Sequence, residues 1–180
     1  MTLAASPLAP VAKYDRASIL LHWLIALLLV GNGVLALMID NWPREQRPPI
    51  VNLHALLGVL LVALTLARIA NRFARPAPAL PPGERWVAIS SKSVHGLLYL
   101  ATLAIPFTGM VTLWLRGRGV DFGVFQMPPM LAENREAARG VKEVHEIMFF
   151  ATMALAALHA AAAVWHQVSL KDRLLERMKL

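Results

Sequence analysis

The sequence contains no cysteine, and charged residues are scarce, at 16% of its 180 residues. The absence of cysteine excludes disulfides, cysteine-ligated iron–sulfur clusters, cysteine zinc sites, thiol catalysis and thioether-linked haem. A typical soluble domain is about a quarter charged, whereas apolar residues make up 57% of this chain. The composition therefore argues against a soluble globular protein and against intrinsic disorder.

Four long segments contain no aspartate, glutamate, lysine or arginine. A helix needs about 20 apolar residues to cross the hydrocarbon core of a bilayer, and soluble helices usually keep a polar face. The segments therefore favour an all-α membrane protein, a bundle of four transmembrane helices, over a soluble helical bundle. The first segment is too long for the apolar core of a signal peptide, so we expect it to be retained. The uncharged segments are residues 17–39, 48–67, 93–115 and 147–170, and the spans predicted from them are about 17–39, 50–70, 93–115 and 144–167.

The basic residues are distributed unequally between the two sides that four spans define. The side with both termini and the middle loop holds eleven basic and four acidic residues, a net charge of +7, whereas the other side holds seven of each. Because basic loops are retained in the cytoplasm, we expect both termini to be cytoplasmic. The same distribution explains the overall charge of +7 without a nucleic-acid partner.

The segments outside the spans also carry predictions. Residues 1–12 are expected to form a flexible N-terminal tail, and residues 13–180 the membrane domain. Residues 76–85 form a proline-rich link that is not expected to be helical. A short surface helix is predicted to follow Pro129 and to end near Gly140.

All six histidines lie within the uncharged segments or within two residues of them. Ionisable side chains are costly in a bilayer and are usually functional, although a single histidine often only hydrogen-bonds a neighbouring helix. Six histidines in the spans, with none in the long polar loops, indicate a functional set. They are His22, His54, His95, His145, His159 and His166.

The spacing of the histidines narrows their chemistry. His145 and His159 are 14 residues apart, so both rings project from about the same helix face, roughly 21 Å apart along the axis. This distance is too long for one metal ion and suits two centres at two depths. The direction of each span pairs His54 with His145 near the outer side, and His22 with His159 nearer the cytoplasm.

Two sites with two histidines each suit two b-type haems. Imidazole is a good ligand for iron, and four-helix bundles hold cofactors between facing helices. Zinc fits these residues less well, because the chain has no cysteine and the uncharged segments contain no carboxylate to complete a four-ligand zinc site. The fold is therefore predicted to be a four-helix bundle that holds two b-type haems.

Arg68 follows His54 by 14 residues and therefore shares its face, near the depth of the second haem. A guanidinium is a good partner for a haem propionate. The alternative is a cytoplasmic anchor of the positive-inside kind. Gly58, one turn after His54, either leaves room for a porphyrin or serves close helix packing.

The residues around four of the histidines resemble those of the bacterial cytochrome b561 family, di-haem proteins of the inner membrane. The resemblance covers residues 12–178 and implies that these four histidines are the axial ligands of two haem b groups. It also implies a multi-pass protein of the bacterial inner membrane, embedded in the lipid bilayer. The matching segments are YDRASILLHWLI at His22, VNLHALLG at His54, VKEVHE at His145 and ALHAAAAVWHQ at His159.

Some members of this family are superoxide oxidases, whereas others are only electron-carrying subunits. The resemblance implies that the chain takes electrons from superoxide at the periplasmic face and passes them to ubiquinone. The alternative is a haem b subunit that carries electrons for a redox partner protein. A third hypothesis, a haem-free transporter or channel subunit, leaves the histidine spacing unexplained.

The basic residues and the remaining two histidines provide candidates for the oxidation of superoxide and the reduction of quinone. Positive charge steers an anion such as superoxide, and Lys142, one turn before His145, is the first candidate, followed by Arg139. The alternative is that both are ordinary solvated charges. His95 and His166 are the candidates for a quinone site that also supplies protons. Their alternative role is hydrogen bonding to lipid or backbone.

Overall fold

The structure, a computed structural model, describes residues 12–78 and 85–180. Four helices in these ranges are long and apolar enough to cross a membrane. The predicted all-α membrane fold with four spanning helices is thereby confirmed. The expected flexible tail lies, apart from Ala12, outside the described residues. The helices are α1 at Arg16–Met38, α2 at Arg47–Ala74, α3 at Arg85–Leu115 and α4 at Arg135–Trp165.

Capping side chains set the start of two of these helices. Asp15 accepts a hydrogen bond from the backbone N–H of Ser18 at 3.1 Å and caps α1. Asn134 accepts one from the backbone N–H of Ala137 at 3.0 Å and caps α4. Such caps satisfy N–H groups that have no partner within the helix and are worth about 1 kcal/mol each. Two helices of opposite direction are therefore started by local side-chain chemistry.

The start of α4 differs from the expectation drawn from the sequence. No separate surface helix ends near Gly140, because α4 begins at Arg135 and runs through that glycine. The backbone N–H of Asn134 donates to the carbonyl of Leu115 at 2.9 Å, which ties the start of α4 to the end of α3. The cap and this bond start the helix well before the apolar segment begins. The span predicted from apolar residues, which begins at residue 144, therefore starts too late.

The proline-rich link is described only in part. Residues 76–78 are not helical, as expected, whereas residues 79–84 lie outside the described residues. Helix α3 begins at Arg85, which the sequence analysis assigned to the link, and not near residue 93. The helix therefore extends beyond its uncharged segment at the basic end, where lysine and arginine suit the membrane interface.

The long loop between α3 and α4 contains a small antiparallel sheet that the sequence analysis did not predict. Strand β1 at Val120–Asp121 pairs with β2 at Gln126–Met127. Asn52 of α2 donates to the carbonyl of Asp121 at 2.9 Å and accepts from its N–H at 2.8 Å. This loop is therefore fastened across the start of α2.

The helices pack in chain order, α1 against α2, α2 against α3 and α3 against α4. Helices α1 and α4 meet at Gly33, where an added Cβ would lie 2.5 Å from the ring of Phe149. Large apolar side chains point outward, among them Leu27 at 72% and Phe107 at 65% exposure. Such a surface suits lipid, in which helices associate through small residues and close packing.

We name the end of the bundle at which α1 begins the inner end, and the opposite end the outer end. A C-terminal 3₁₀ turn at Leu174–Met178 lies across the inner end. Its buried Arg177 donates to the carbonyls of Ala12 at 3.2 Å and Pro78 at 2.9 Å. One side chain thus joins the C-terminal turn, the N-terminal segment and the residues that follow α2.

Candidate cofactor sites

The structure brings four histidines together as two facing pairs. His54 of α2 and His145 of α4 have ring centroids 6.1 Å apart and ring planes at 87°. His22 of α1 and His159 of α4 have ring centroids 6.2 Å apart and ring planes at 81°. These are named the outer pair and the inner pair, and their partners are those that the spacing predicted. Along α4 the two pairs are separated by about 21 Å.

The gap within each pair fits a metal-centred cofactor. When two imidazoles bind one metal ion from opposite sides, each ligand nitrogen lies about 2 Å from the ion and the ring centres roughly 6 Å apart. Both pairs show this separation. Among the described residues, no third histidine, aspartate or glutamate completes a metal-binding group at either pair. Two imidazoles per site are what a haem iron takes when both axial positions are filled by histidine.

The ring of His145 is held through its Nδ1 atom. Nδ1 lies 2.9 Å from the carbonyl oxygen of Ile105 and 3.0 Å from Oγ1 of Thr108. Because a carbonyl only accepts hydrogen bonds, this contact assigns the proton to Nδ1. The Nε2 atom is then free to bind a metal, and this is the usual arrangement of ligand histidines.

His54 carries a polar atom that the described residues leave unsatisfied. Its Nδ1 is buried and has no hydrogen-bond partner in the described part of the chain. Its backbone carbonyl accepts a bond from Nδ2 of Asn32 at 3.2 Å. A buried polar atom without a partner is costly. The described residues therefore give Nδ1 of His54 no partner of the kind that orients the ring of His145.

Two glycines differ in their relation to the outer pair. An added Cβ at Gly109 of α3 would lie 3.0 Å from Cε1 of His145, so this glycine makes room for the ring. An added Cβ at Gly58 would lie 3.5 Å from Pro106, which is a helix-packing contact. For Gly58 the structure therefore favours the packing alternative. Gly109 was missed in the sequence, because its role depends on a contact between α3 and α4.

A third histidine stands beside the inner pair. The ring centroid of His95 on α3 is 5.2 Å from that of His159. Its Nδ1 lies 3.5 Å from the hydroxyl of Ser91. On the other side of the pair, Trp23 lies 5.1 Å from His22 between ring centroids. The predicted quinone residue His95 is therefore in direct contact with the inner pair.

Arg68 also lies close to the inner pair, at the depth that its spacing from His54 predicted. Its Nε donates to the hydroxyl of Tyr99 at 2.9 Å, and its Nη1 donates to the carbonyl of Ser18 at 2.8 Å. These bonds hold the guanidinium between Ser18, one turn before His22, and Tyr99, one turn after His95. Among the described residues, Nη2 makes no hydrogen bond, which leaves a donor for an anionic group such as a propionate.

A polar cluster at the inner end joins α1 to α2. The hydroxyl of Ser18 donates to Asp15 at 2.7 Å, and Nδ2 of Asn71 donates to the same hydroxyl at 2.9 Å. Arg75 forms an ion pair with Asp15 at 3.3 Å. The bond from the Ser18 side chain is the main reason that the pKa of Asp15 falls to about 2. The cap of α1 is therefore a carboxylate at neutral pH.

His166, the second predicted quinone residue, lies in a π-helical turn at His166–Leu170 that extends α4. Its Nδ1 is 2.5 Å from Oδ2 of Asp172. Lys171 adopts a left-handed φ of 55°, and this turn brings Asp172 back to the histidine. Within the described ranges, His166 and His95 form no hydrogen bond or ring contact with each other. Asp172 was not predicted as a partner, because it meets His166 only when the helix ends in this way.

The basic residues of the outer end differ in their partners. Lys142 forms an ion pair with Glu146, one turn further along α4. Arg135 is bonded to Glu133 at 2.8 Å. Arg139 is exposed and, within the described residues, makes no ion pair. The first candidate for attracting an anion, Lys142, therefore has an acidic partner, whereas the second candidate has none.

The chain is similar to known proteins over nearly its whole length. The family model described as prokaryotic cytochrome b561 matches residues 13–179. Cytochrome b562 of Cereibacter sphaeroides is 36% identical over 173 residues, which are 92% of this chain and 94% of that protein. Cytochrome b561 homolog 1 of Escherichia coli K12 is 29% identical over 171 residues, 92% of this chain and 96% of that protein. Probable superoxide oxidase CybB of Yersinia pestis is 29% identical over 168 residues, 92% of this chain and 95% of that protein.

Proposed function

Because the chain belongs to the prokaryotic cytochrome b561 family, we propose that it oxidises superoxide at the periplasmic face of the inner membrane and reduces ubiquinone. Family membership and the four spanning helices make it a multi-pass inner-membrane protein of electron transfer that binds haem b. Beyond this, we propose that the chain binds two haems through four histidines, that its substrates are superoxide and ubiquinone, and that the inner end faces the cytoplasm.

The two histidine pairs are the proposed axial ligands of two haem b groups, one at His54 and His145 and one at His22 and His159. The observation that carries this assignment is the separation of the ring centroids, 6.1 Å and 6.2 Å. When bound, each haem accepts and releases one electron at a time. The chain orients the ligands through the Nδ1 bond of His145 and offers Arg68 to a propionate.

The proposed reaction balances when two superoxide anions react with one quinone. Each superoxide gives up one electron and leaves as dioxygen. The quinone takes up two electrons and two protons and leaves as quinol. The side chains at the outer end therefore have to admit an anion, and those at the inner end have to supply protons.

Superoxide as the electron donor is supported by a relative and by charge. The Yersinia pestis protein, 29% identical, carries the name of a probable superoxide oxidase. At the outer end, Arg139 is the stronger of the two predicted steering residues, since Glu146 offsets the charge of Lys142. Positive charge near the reacting centre raises the rate at which an anion arrives.

His95 and His166 are the proposed quinone residues. His95 is in contact with His159 of the inner pair, and His166 is bonded to Asp172. A histidine that is bonded to a carboxylate near water can pass on a proton and be protonated again. The excess of basic residues supports a cytoplasmic inner end, so the protons would come from the cytoplasm.

A second candidate function is that of an electron carrier for a redox partner protein. It is favoured by the exposed tip of the hairpin between β1 and β2, where Val124 is 91% and Phe125 59% exposed. An exposed apolar tip on the outer loop suits a docking surface. The same histidines would serve both functions, so the ligands do not distinguish them.

The two functions are distinguished with the purified haem-loaded protein. A flux of superoxide should reduce its haem absorption bands, a ubiquinone analogue should reoxidise them, and superoxide dismutase should prevent the reduction. His145→Ala, which removes a ligand of the outer pair, serves as the matched control and should lose the superoxide response. Bands that stay oxidised under superoxide but are reduced by a co-purifying protein would replace this function with the electron carrier.

A further inference from the structure

An open cleft lies at the outer end of the bundle, between the start of α2 and the end of α3. Its volume is about 370 Å³. It is bounded by both helices and by the first residues of the loop that follows α3. The lining residues are Pro48, Val51, Asn52, Leu113, Arg118 and Gly119.

The cleft lies one helical turn outward of the outer pair. On α2, Val51 precedes His54 by three residues. On α3, Leu113 follows Gly109 by four residues, and Gly109 is the glycine against the ring of His145. Residues three or four apart share a helix face and are about 5 Å apart along the axis. Both walls of the cleft therefore continue directly into the outer pair.

Arg118 brings positive charge to this cleft. It follows a turn at Gly117, whose φ of 67° ends α3, and its backbone N–H donates to the carbonyl of Leu113 at 2.9 Å. Within the described ranges, its guanidinium makes no hydrogen bond or ion pair with the chain. Lys142, by contrast, is paired with Glu146. A guanidinium without an acidic partner is available to an anion.

The acidic residue of this loop is already engaged. The carboxylate of Asp121 accepts bonds from the N–H of Gly123 at 2.7 Å and from Nε2 of Gln126 at 3.3 Å. Its backbone is bonded to Asn52, which fastens the loop to α2 and holds Arg118 at the rim of the cleft. The backbone at Arg118 is therefore fixed on both sides, by Leu113 and by Asn52, at the rim of the cleft.

We propose that this cleft is the entry for superoxide and that Arg118, more than Lys142, draws the anion in. The inference deepens the proposed function and rests on it. Superoxide enters as an anion, gives one electron to the acceptor held by the outer pair, and leaves as neutral dioxygen. Because the guanidinium attracts the anion and not the neutral product, the same charge favours both entry and release.

The test compares three variants with the same change of charge, Arg118→Glu, Lys142→Glu and Lys179→Glu. The rate of haem reduction under a superoxide flux is measured at several salt concentrations. We expect Arg118→Glu to slow reduction about tenfold at low salt, with a smaller difference at high salt. Lys142→Glu should slow it less, and Lys179→Glu, at the inner end, should not. A variant Arg118→Glu that is as fast as the wild type, or faster than Lys142→Glu, overturns the inference.

A second readout does not depend on turnover. Removing the positive charge of Arg118 from the rim of the cleft should lower the midpoint potential of the outer haem and leave the inner one unchanged, because positive charge favours the reduced form. Arg118→Gln tests this, with haem content as the check on folding. Two unchanged potentials would show that Arg118 does not face the outer pair and would overturn the inference.

Different results would contradict the proposed oxidation of superoxide and the proposed entry role of Arg118. If superoxide does not reduce the wild-type protein, the proposed function fails and the entry role of Arg118 fails with it. If the wild type reacts and Arg118→Glu reacts at the same rate, only the inference about the cleft fails.

Discussion

The outer and inner histidine pairs have nearly the same geometry and very different surroundings. Their ring centroids are 6.1 Å and 6.2 Å apart. The outer pair is contacted by a backbone carbonyl, a threonine hydroxyl and a glycine. The inner pair has a third histidine, a tryptophan and the fixed guanidinium of Arg68 around it. Helix spacing sets the ligand geometry, whereas the neighbours set the chemistry of each site.

The difference gives a direction to electron transfer. A fixed positive charge beside a redox centre favours its reduced form. Arg68 is held beside the inner pair by two hydrogen bonds, whereas Arg118 stands at the rim of an open cleft, so we expect Arg68 to raise the inner potential more than Arg118 raises the outer one. Electrons that arrive at the outer pair would then move toward the inner end, where the proposed quinone residues His95 and His166 lie.

Removing one ligand from each pair is the strongest way to test whether the pairs are separate. His145→Ala should lose the outer haem and His159→Ala the inner one, so that haem content falls from two to one per chain in each case. His166→Ala, on the same helix but outside both pairs, is the matched control and should keep both haems. If His145→Ala and His159→Ala lost the same haem, the assignment of pairs would be wrong.

The room around His145 provides a steric test that leaves every ligand in place. At Gly109 an added Cβ would lie 3.0 Å from the ring of His145, whereas Gly96 on the same helix has nothing within 4 Å. Gly109→Val should therefore displace the ring and lower outer haem occupancy severalfold, since well-packed sites resist added atoms. Gly96→Val should keep full occupancy. Equal haem content in the two variants would contradict the role given to Gly109.

The charge of Arg68 can be removed without touching a ligand. Arg68→Gln should lower the midpoint potential of the inner haem by about 60 mV, equivalent to a tenfold change in equilibrium constant for one electron. The outer haem should keep its potential. Arg72→Gln is the control, because that guanidinium lies one turn further along α2, over the ring of Tyr14. A redox titration in which Arg68→Gln shifts both haems equally would refute the local effect.

The smallest expected effect concerns the two helix caps, one at each end of the bundle. The folded pKa of Asp15, about 2, is below its ordinary value of 3.8. Its contribution to stability is therefore present above about pH 4 and is lost as the pH falls toward 2. Asp15→Ala should cost about 1 kcal/mol at neutral pH, and the difference from the wild type should shrink in that window.

The cap at Asn134 is the matched control for this pH dependence. Asn134 does not titrate, so Asn134→Ala should cost a similar amount at every pH. Thermal unfolding in detergent, followed by helical circular dichroism, measures both variants. A loss for Asp15→Ala that does not change between pH 4 and pH 2 would show that the carboxylate form is not what stabilises α1.

Much of this arrangement was predictable from the sequence because helices have a fixed rise and period. The uncharged segments predicted the four helices, and the 14 residues between His145 and His159 predicted two depths. The direction of the spans then predicted which histidines would meet. Such predictions need only local geometry, and the structure brings the expected rings together.

The features that the sequence did not reveal depend on contacts between distant segments. Gly109 acquires its role from the ring of His145, and Asp172 meets His166 only because Lys171 turns the chain back. The hairpin after α3 is fastened by Asn52, whose two bonds give no signal in the sequence. The ion pair between Lys142 and Glu146 has a spacing visible in the sequence, but Arg139 and Glu143 have the same spacing and form no ion pair in the described part of the chain.

The most direct test of the central claim is haem quantification per chain combined with electron paramagnetic resonance of the oxidised protein. We expect two haem b groups per chain, both low-spin with imidazole at both axial positions. Their signals should be strongly anisotropic, because the paired rings are nearly perpendicular, at 87° and 81°. A single haem per chain, or a high-spin iron with all four histidines intact, would contradict it.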